Sequence, residues 1–289
     1  MVPGALARQN SVAPLLASLA AVVARPATLP EPVLRAALQV LGQRVQVPAN
    51  GPAADVLKTA IEKSGVFLEA GLAKAASPTP DMKSALAALR SSLATWLGGN
   101  PAPVQAAQRA APPLRGMPPR ADAPDVEPLP DIPREAARAL HHQADAALSR
   151  VKLMQFASLP DADPARPAPQ ELRMEVPFLI GSETVLAQFQ IFRDGSRKRT
   201  DGKRGWTMRF AMNFAATGEV GAEIGLLGKH VSVGLWAAER ETHDRLAAAL
   251  PELGPALAAL RLDPGAIRLR AAPPEPEAPP SGHYLDSLT

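Results

Sequence analysis

The spacing of apolar positions changes once along the chain, and the change separates two kinds of structure. Through the first hundred residues, apolar side chains recur at three- and four-residue steps between prolines, the period of one helix face. This predicts short helices over Val12–Ala24, Pro32–Leu41, Ala53–Ala75 and Asp81–Leu97. The last is the best defined: Asp81 can accept from the free amides of a first turn, Leu86, Leu89, Leu93 and Leu97 form the apolar stripe, and Gly98-Gly99 stop it. Residues 100–133 contain Met117-Pro118-Pro119 and Leu129-Pro130-Asp131, which sustain neither helix nor ladder and predict a Pro/Ala-rich linker. One amphipathic helix is expected over 134–158, with Ala136, Leu140, Ala147, Val151 and Met154 on one side, followed by a second linker over 159–171 that holds Pro160, Pro164, Pro167 and Pro169.

From Leu172 the period is two. Leu172, Met174, Val176, Phe178 and Ile180 alternate with Arg173, Glu175 and Pro177, and after Gly181-Ser182 a second alternation runs through Val185, Ala187, Phe189 and Ile191, so the pair predicts a hairpin. Trp206, Met208, Phe210, Met212 and Phe214 face one way and Thr207, Arg209 and Asn213 the other, the clearest strand in the chain. Val220, Ala222, Ile224 and Leu226 make a fourth strand, and Val231, Val233 and Leu235 a fifth beyond Leu227-Gly228-Lys229. Helical spacing returns over Glu239–Leu260 in Leu246, Leu250, Leu253, Leu257 and Leu260, with a break expected near Pro251 or Gly254. Ile267 and Leu269 close the sheet, and 273–289 reads as a disordered proline- and glutamate-rich tail. The fold class is therefore α+β: a helical amino-terminal region over 1–99, proline-rich linkers, and over 172–272 a mainly antiparallel sheet covered by leucine-rich helices.

Composition narrows what this chain can do. The 32 prolines and 4% aromatic residues mean that 289 residues overstate the packed mass, and an apolar fraction of 46% carried largely by Ala buries little area per residue. Zero cysteines exclude disulfides, thiolate metal sites and cysteine nucleophiles. A net charge of +3 does not indicate a general polyanion binder, and no apolar run reaches the 18 or more residues of a membrane span, so stable membrane insertion is not expected. Residues 13–24 are short and interrupted by Pro14, which favours an amphipathic first helix or an unstructured leader over a signal peptide.

Catalytic chemistry has no foothold in the pattern. His141, His142, His230, His243 and His283 lack the spacing of a zinc hydrolase, and adjacent His141 and His142, about 100° apart on a helix, are expected to face solvent. No phosphate-cradling loop, nucleophile elbow or dinucleotide fingerprint is present, so no enzyme activity, cofactor or metal is expected. Trp206 and Trp236, each in an apolar strand, are expected as core or cover residues. The sharpest electrostatic feature is the cluster Arg193, Arg197, Lys198, Arg199, Lys203 and Arg204 between the second and third strands. Such a loop can grip an acidic protein surface, grip a nucleic-acid backbone, or remain a solvated loop; neither an RNP-like aromatic motif nor a helix-turn-helix accompanies it, and nucleic acid ranks last.

In order, Trp206–Phe214, Gly218-Glu219-Val220, Ala222–Leu226, Val231–Ala238, Arg245–Leu260 and the closing strand resemble, over 203–271, the C-terminal domain of the flagellar hook-length control protein family. Upstream, Ser64-Gly65-Val66-Phe67-Leu68-Glu69 followed by Asp81-Met82-Lys83-Ser84-Ala85-Leu86 resembles an amino-terminal segment of proteins carrying that domain. The chain has Ala215-Ala216-Thr217 where the family usually has Pro and Leu before the turn glycine. The resemblance implies a non-enzymatic protein that is cytoplasmic before export through the flagellar type III apparatus. Its amino-terminal half would contact the hook or hook-cap protein, and its C-terminal domain the flagellar export gate protein, switching export from hook-type to filament-type substrates. Residues expected to bind a partner are Arg197, Lys198, Arg199, Lys203, Arg204, Gly218, Val220, Leu246 and Leu250. The alternatives are a cytoplasmic adaptor or paralogue with the same C-terminal fold, and behind them a nucleic-acid-binding module.

Overall fold

A computed structural model describes residues 2–25, 29–48, 51, 54–69, 80–103, 110–121, 128–159, 171–193, 205–270 and 272–273. The helical region holds α1 (Val2–Arg8), α2 (Ala13–Val23), α3 (Glu31–Leu41), α4 (Ala54–Glu62) and α5 (Met82–Leu97), followed by α6 (Pro133–Ala157). The start of α5 is fixed by Asp81, whose carboxylate accepts from the Ser84 amide at 2.8 Å while the Ser84 hydroxyl reaches the Asp81 amide at 2.9 Å; its end is Gly98 at φ +82°. Leu15, Leu16, Leu19, Val33, Val40, Leu86, Leu89, Leu93, Leu140 and Val151 form one core shared by α2, α3, α5 and α6. Short alanine-rich helices are individually marginal, and this shared apolar seam is what holds them.

Among the described residues the sheet has seven strands whose spatial order equals their chain order: β1 (Val45–Val47), β2 (Glu171–Ile180), β3 (Glu183–Arg193), β4 (Trp206–Phe214), β5 (Gly218–Leu227), β6 (His230–Ala237) and β7 (Asp263–Arg270). Pairing is antiparallel from β2 to β6 and parallel at both outer pairs, β1 with β2 and β6 with β7. The strand β1 was not expected; three residues are too short for a period of two to register. Helix α7 (Arg240–Ala259) crosses from β6 to β7 and runs through Pro251 and Pro255 without the expected break.

The register sorts the sheet into two faces. Met174, Phe189, Phe210, Ala222, Leu235 and Leu269 stand in one row of the apolar face, and Arg173, Gln190, Arg209, Glu223, Gly234 and Arg268 in one row of the polar face. On the apolar face α4 covers the β1–β2 end, where Leu57, Ala60 and Ile61 pack against Val45, Val176 and Phe178. At the other end α7 lies over β7, with Gly254 beside Ile267.

Several expectations are corrected. His141 is only 2% exposed, because α6 is enclosed on more than one side. Trp206 is 45% exposed, standing at the open end of the β3–β4 ladder. Arg209 stands on the polar face, as the alternation of β4 predicts, and there its Nε donates to Glu223 at 2.7 Å and its guanidinium lies 5.0 Å from the centre of the Phe192 ring. Of the stretch read as a linker over 100–133, residues 110–121 lie against the polar face of the sheet through a series of hydrogen bonds. The tail from 274 onward lies outside the described residues.

Candidate functional site

Between α4 and α7 the apolar face is only thinly covered. Met208, Phe210 and Met212 on β4 and Val220, Ile224 and Leu226 on β5 are half-buried although all project to the side that elsewhere forms core. At one end of this strip Arg193 and Trp206 sit opposite each other across β3 and β4, with the guanidinium carbon 5.6 Å from the ring centre. These two residues flank the basic loop. Arg197, Lys198, Arg199, Lys203 and Arg204 themselves lie outside the described residues.

The remaining expected contact residues divide into a hinge-like corner and a helix stripe. Gly218 follows the β4–β5 turn with φ +68°, and a Cβ there would lie 2.9 Å from Cγ of Glu239. The same corner is tied by the Thr242 hydroxyl donating to the Thr217 carbonyl and the Ala238 amide donating to the Glu219 carbonyl, both at 2.9 Å. The glycine is thus needed to seat the start of α7 against the β4–β5 turn. Val220 stands two residues on, half-buried on the apolar face, and Leu246 and Leu250 are half-buried one turn apart on α7. The structure therefore gives Gly218 an architectural role and leaves Val220, Leu246 and Leu250 partly accessible.

The two amino-terminal motif pieces, separated by ten residues outside the described set, meet in space. Gly65, at φ +89°, lies so close to the Lys83 backbone that a Cβ would stand 2.7 Å from its nitrogen. The Met82 amide donates to the Lys63 carbonyl at 2.9 Å, and Lys83 pairs with Glu69. Gln155 of α6 closes the knot, donating to the Val66 carbonyl at 3.1 Å and accepting from Lys83 at 2.7 Å. Burial raises the Glu69 carboxyl pKa, but hydrogen bonds from Lys83, its own backbone and Gln155, with the Lys83 charge, outweigh it and leave a net lowering. Beside the knot, Ala54, Leu57, Lys58, Ile61, Glu62 and Phe67 line an open, mainly apolar pocket of about 400 Å³.

On the polar face, Arg150 of α6, 2% exposed, donates through Nε to Glu175 at 2.5 Å and through Nη1 to Gln9 at 2.7 Å and the Ala111 carbonyl at 2.8 Å. Arg173 pairs with Glu171, and burial draws its pKa below the usual guanidinium value despite that partner. Sequence reading missed this network because Glu171, Arg173 and Glu175 look like the solvent side of an alternating strand, while Arg150 lies on a helix and Gln9 between helices, with nothing local to pair them. The only available signal was a clustering of both charge signs, Glu171, Arg173 and Glu175, in one strand.

Taken together, the half-covered apolar face and its sheet describe an α+β domain with apolar surface left accessible; among the described residues, no group of three or more His, Asp and Glu could hold a metal ion. Residues 195–277 match the family model described as flagellar hook-length control protein FliK, a family that is regulatory and non-enzymatic. The match takes in β4 to β7 with α7 and covers less than a third of the 289 residues. No curated protein and no solved structure matches. Among the described residues, no helix is long and apolar enough to cross a membrane.

Proposed function

We propose that the chain acts in flagellar hook-length control and that its C-terminal domain switches export specificity by binding the export gate through the apolar strip and the basic loop. The single observation that carries this is the coincidence of the matched segment with the part of the sheet whose apolar face is half-covered. Half-buried Met208, Phe210 and Met212 supply adaptable apolar area for a partner surface, and the charges at Arg197, Lys198 and Arg199 steer an acidic one. In this reading the chain is made in the cytoplasm, leaves through the flagellar type III apparatus, and meets the hook or hook cap with its amino-terminal half. Alanine-rich helices that depend on a shared seam lower the work of unfolding before export.

The test is deletion of residues 203–289 in the native host. Export of the remaining chain is expected to continue while the switch is lost, giving overlong hooks with few or no filaments by electron microscopy. Normal hooks bearing normal filaments, with no second gene copy, would overturn the proposal. A cytoplasmic adaptor is the second reading, favoured by the buried contacts that join α6 to the sheet, such as Arg150 with Glu175. Export assays on the amino-terminal residues separate the two.

A further inference from the structure

The polar face of the sheet, opposite the strip just described, receives residues 110–121 as a receptor receives a peptide. Arg115 donates from its guanidinium to the Ala157 and Leu159 carbonyls, and the other hydrogen bonds to the body are made to the main chain of the segment by side chains of the body. The Gly116 amide donates to Glu171 at 3.1 Å, and Arg173 donates to the Met117 carbonyl. The Ala121 amide donates to Glu219 at 2.9 Å, and Asn213 donates to the Ala121 carbonyl at 2.9 Å. Gln9 and Arg150 hold the Ala110 and Ala111 carbonyls at 2.6 and 2.8 Å. The segment thus runs diagonally from β2 to the β4–β5 turn.

The receiving groups are buried and held in place by one another. Glu171, Arg173 and Glu219 are each under a tenth exposed, and Glu171 also accepts from Gln190 at 3.0 Å. Between the two clamps stand Pro118 and Pro119, both buried, and two residues without N–H groups cross that span with no donor needing a partner. Arg120 adds an ion pair to Glu219 at 3.2 Å. Leu114 and Met117, by contrast, are 51% and 45% exposed, so the segment is not anchored by its large apolar side chains. A strap held mainly by main-chain bonds and proline rings can be exchanged for another segment of similar backbone.

We propose that this face is a binding groove for an extended protein segment carrying Pro-Pro-Arg, filled in cis by residues 110–121 and open to a partner that displaces them. The groove lies on the face opposite the proposed gate contact and stands independently of it. Because the strap is tethered, it competes at an effective concentration of about millimolar, so a free segment binds the intact chain weakly.

The experiment uses a fluorescent peptide with the sequence of residues 110–121 and two full-length proteins: the wild type, and a variant with 112–121 replaced by Gly and Ser at equal length. The variant is expected to bind the peptide with a Kd of about 10 μM or below and the wild type at least about 100-fold more weakly, the ratio of a millimolar competitor to that Kd. Peptides with both prolines changed to Ala, or with Arg120→Glu, are expected to bind at least about tenfold more weakly. A variant that keeps the wild-type circular dichroism yet shows no saturable binding, or that binds a scrambled peptide equally well, overturns the proposal. Should the variant fail to fold, amide exchange on the wild type decides: millimolar peptide is expected to speed exchange at Gly116 and Ala121 at least about threefold, and unchanged exchange overturns the groove.

Discussion

At the scale of single residues, Gly221 and Trp236 depend on each other. They face across β5 and β6, and a Cβ on Gly221 would stand 2.1 Å from Cζ2 of the indole, which is 1% exposed. Gly221→Ala must displace a buried ring and is expected to cost about 3 kcal/mol, at the upper end of overpacking. Gly228→Ala, at φ +62° with open space around it, carries only the conformational cost of about 1 kcal/mol. Chemical denaturation of both variants checks this, and equal losses would mean that Trp236 moves freely. Alternation in β6 already assigned Val231, Val233 and Leu235 to the apolar face, so Trp236 had to lie on the other; what fills that side was invisible. The same limit applied to Arg209, whose partner Glu223 is set by the β4–β5 register rather than by either strand's own pattern.

At the scale of elements, the stretches with a strong period were legible and the ones defined by partners were not. Asp81 and Gly98-Gly99 bounded α5 as expected because capping is local chemistry. The burial of His141 was not local: among the described residues neither ring nitrogen has a hydrogen-bond partner, and Arg90 from α5 with His142 and Asp145 from α6 supply the nearby charges. Burial first, then Arg90 and His142, push its pKa below 6.5, against a smaller opposing effect of Asp145. As pH falls from neutral through 6.5, the unfolded chain takes up a proton that the folded chain refuses, so stability declines on acidification. His141→Gln is expected to flatten the decline in midpoint denaturant concentration between pH 7 and 5.5, and an unchanged slope would place the acid sensitivity elsewhere. The domain match over 195–277 was legible for the opposite reason, since it follows an ordered run of strand, turn and helix patterns.

For the molecule as a whole, the buried ion pair of Arg150 and Glu175 joins the helical region to the sheet. Arg150→Ala would leave Glu175 enclosed without its counter-charge and is expected to cost about 3–5 kcal/mol, whereas Arg150→Met with Glu175→Met together should cost far less. In a Trp96→Phe background, whose remaining tryptophans Trp206 and Trp236 lie on the sheet, thermal unfolding followed separately by helical and tryptophan signals would show the single substitution lowering both transitions; an effect confined to the helical signal would mean that the two regions are not coupled there. The long-range partnership of residues 150 and 175 was beyond sequence reading, because strand and helix were each complete as patterns without it.

The sheet's order, β1 to β7 in chain sequence, has a mechanical meaning. Tension applied to the amino-terminal end always reaches a strand that lies at the current edge, never one clamped on both sides. Through the antiparallel run from β2 to β6 each hairpin then opens like a zipper, its bonds breaking in succession instead of sharing the load in shear. Such a sheet can rest against denaturation in solution and still yield to a modest steady pull along its own chain.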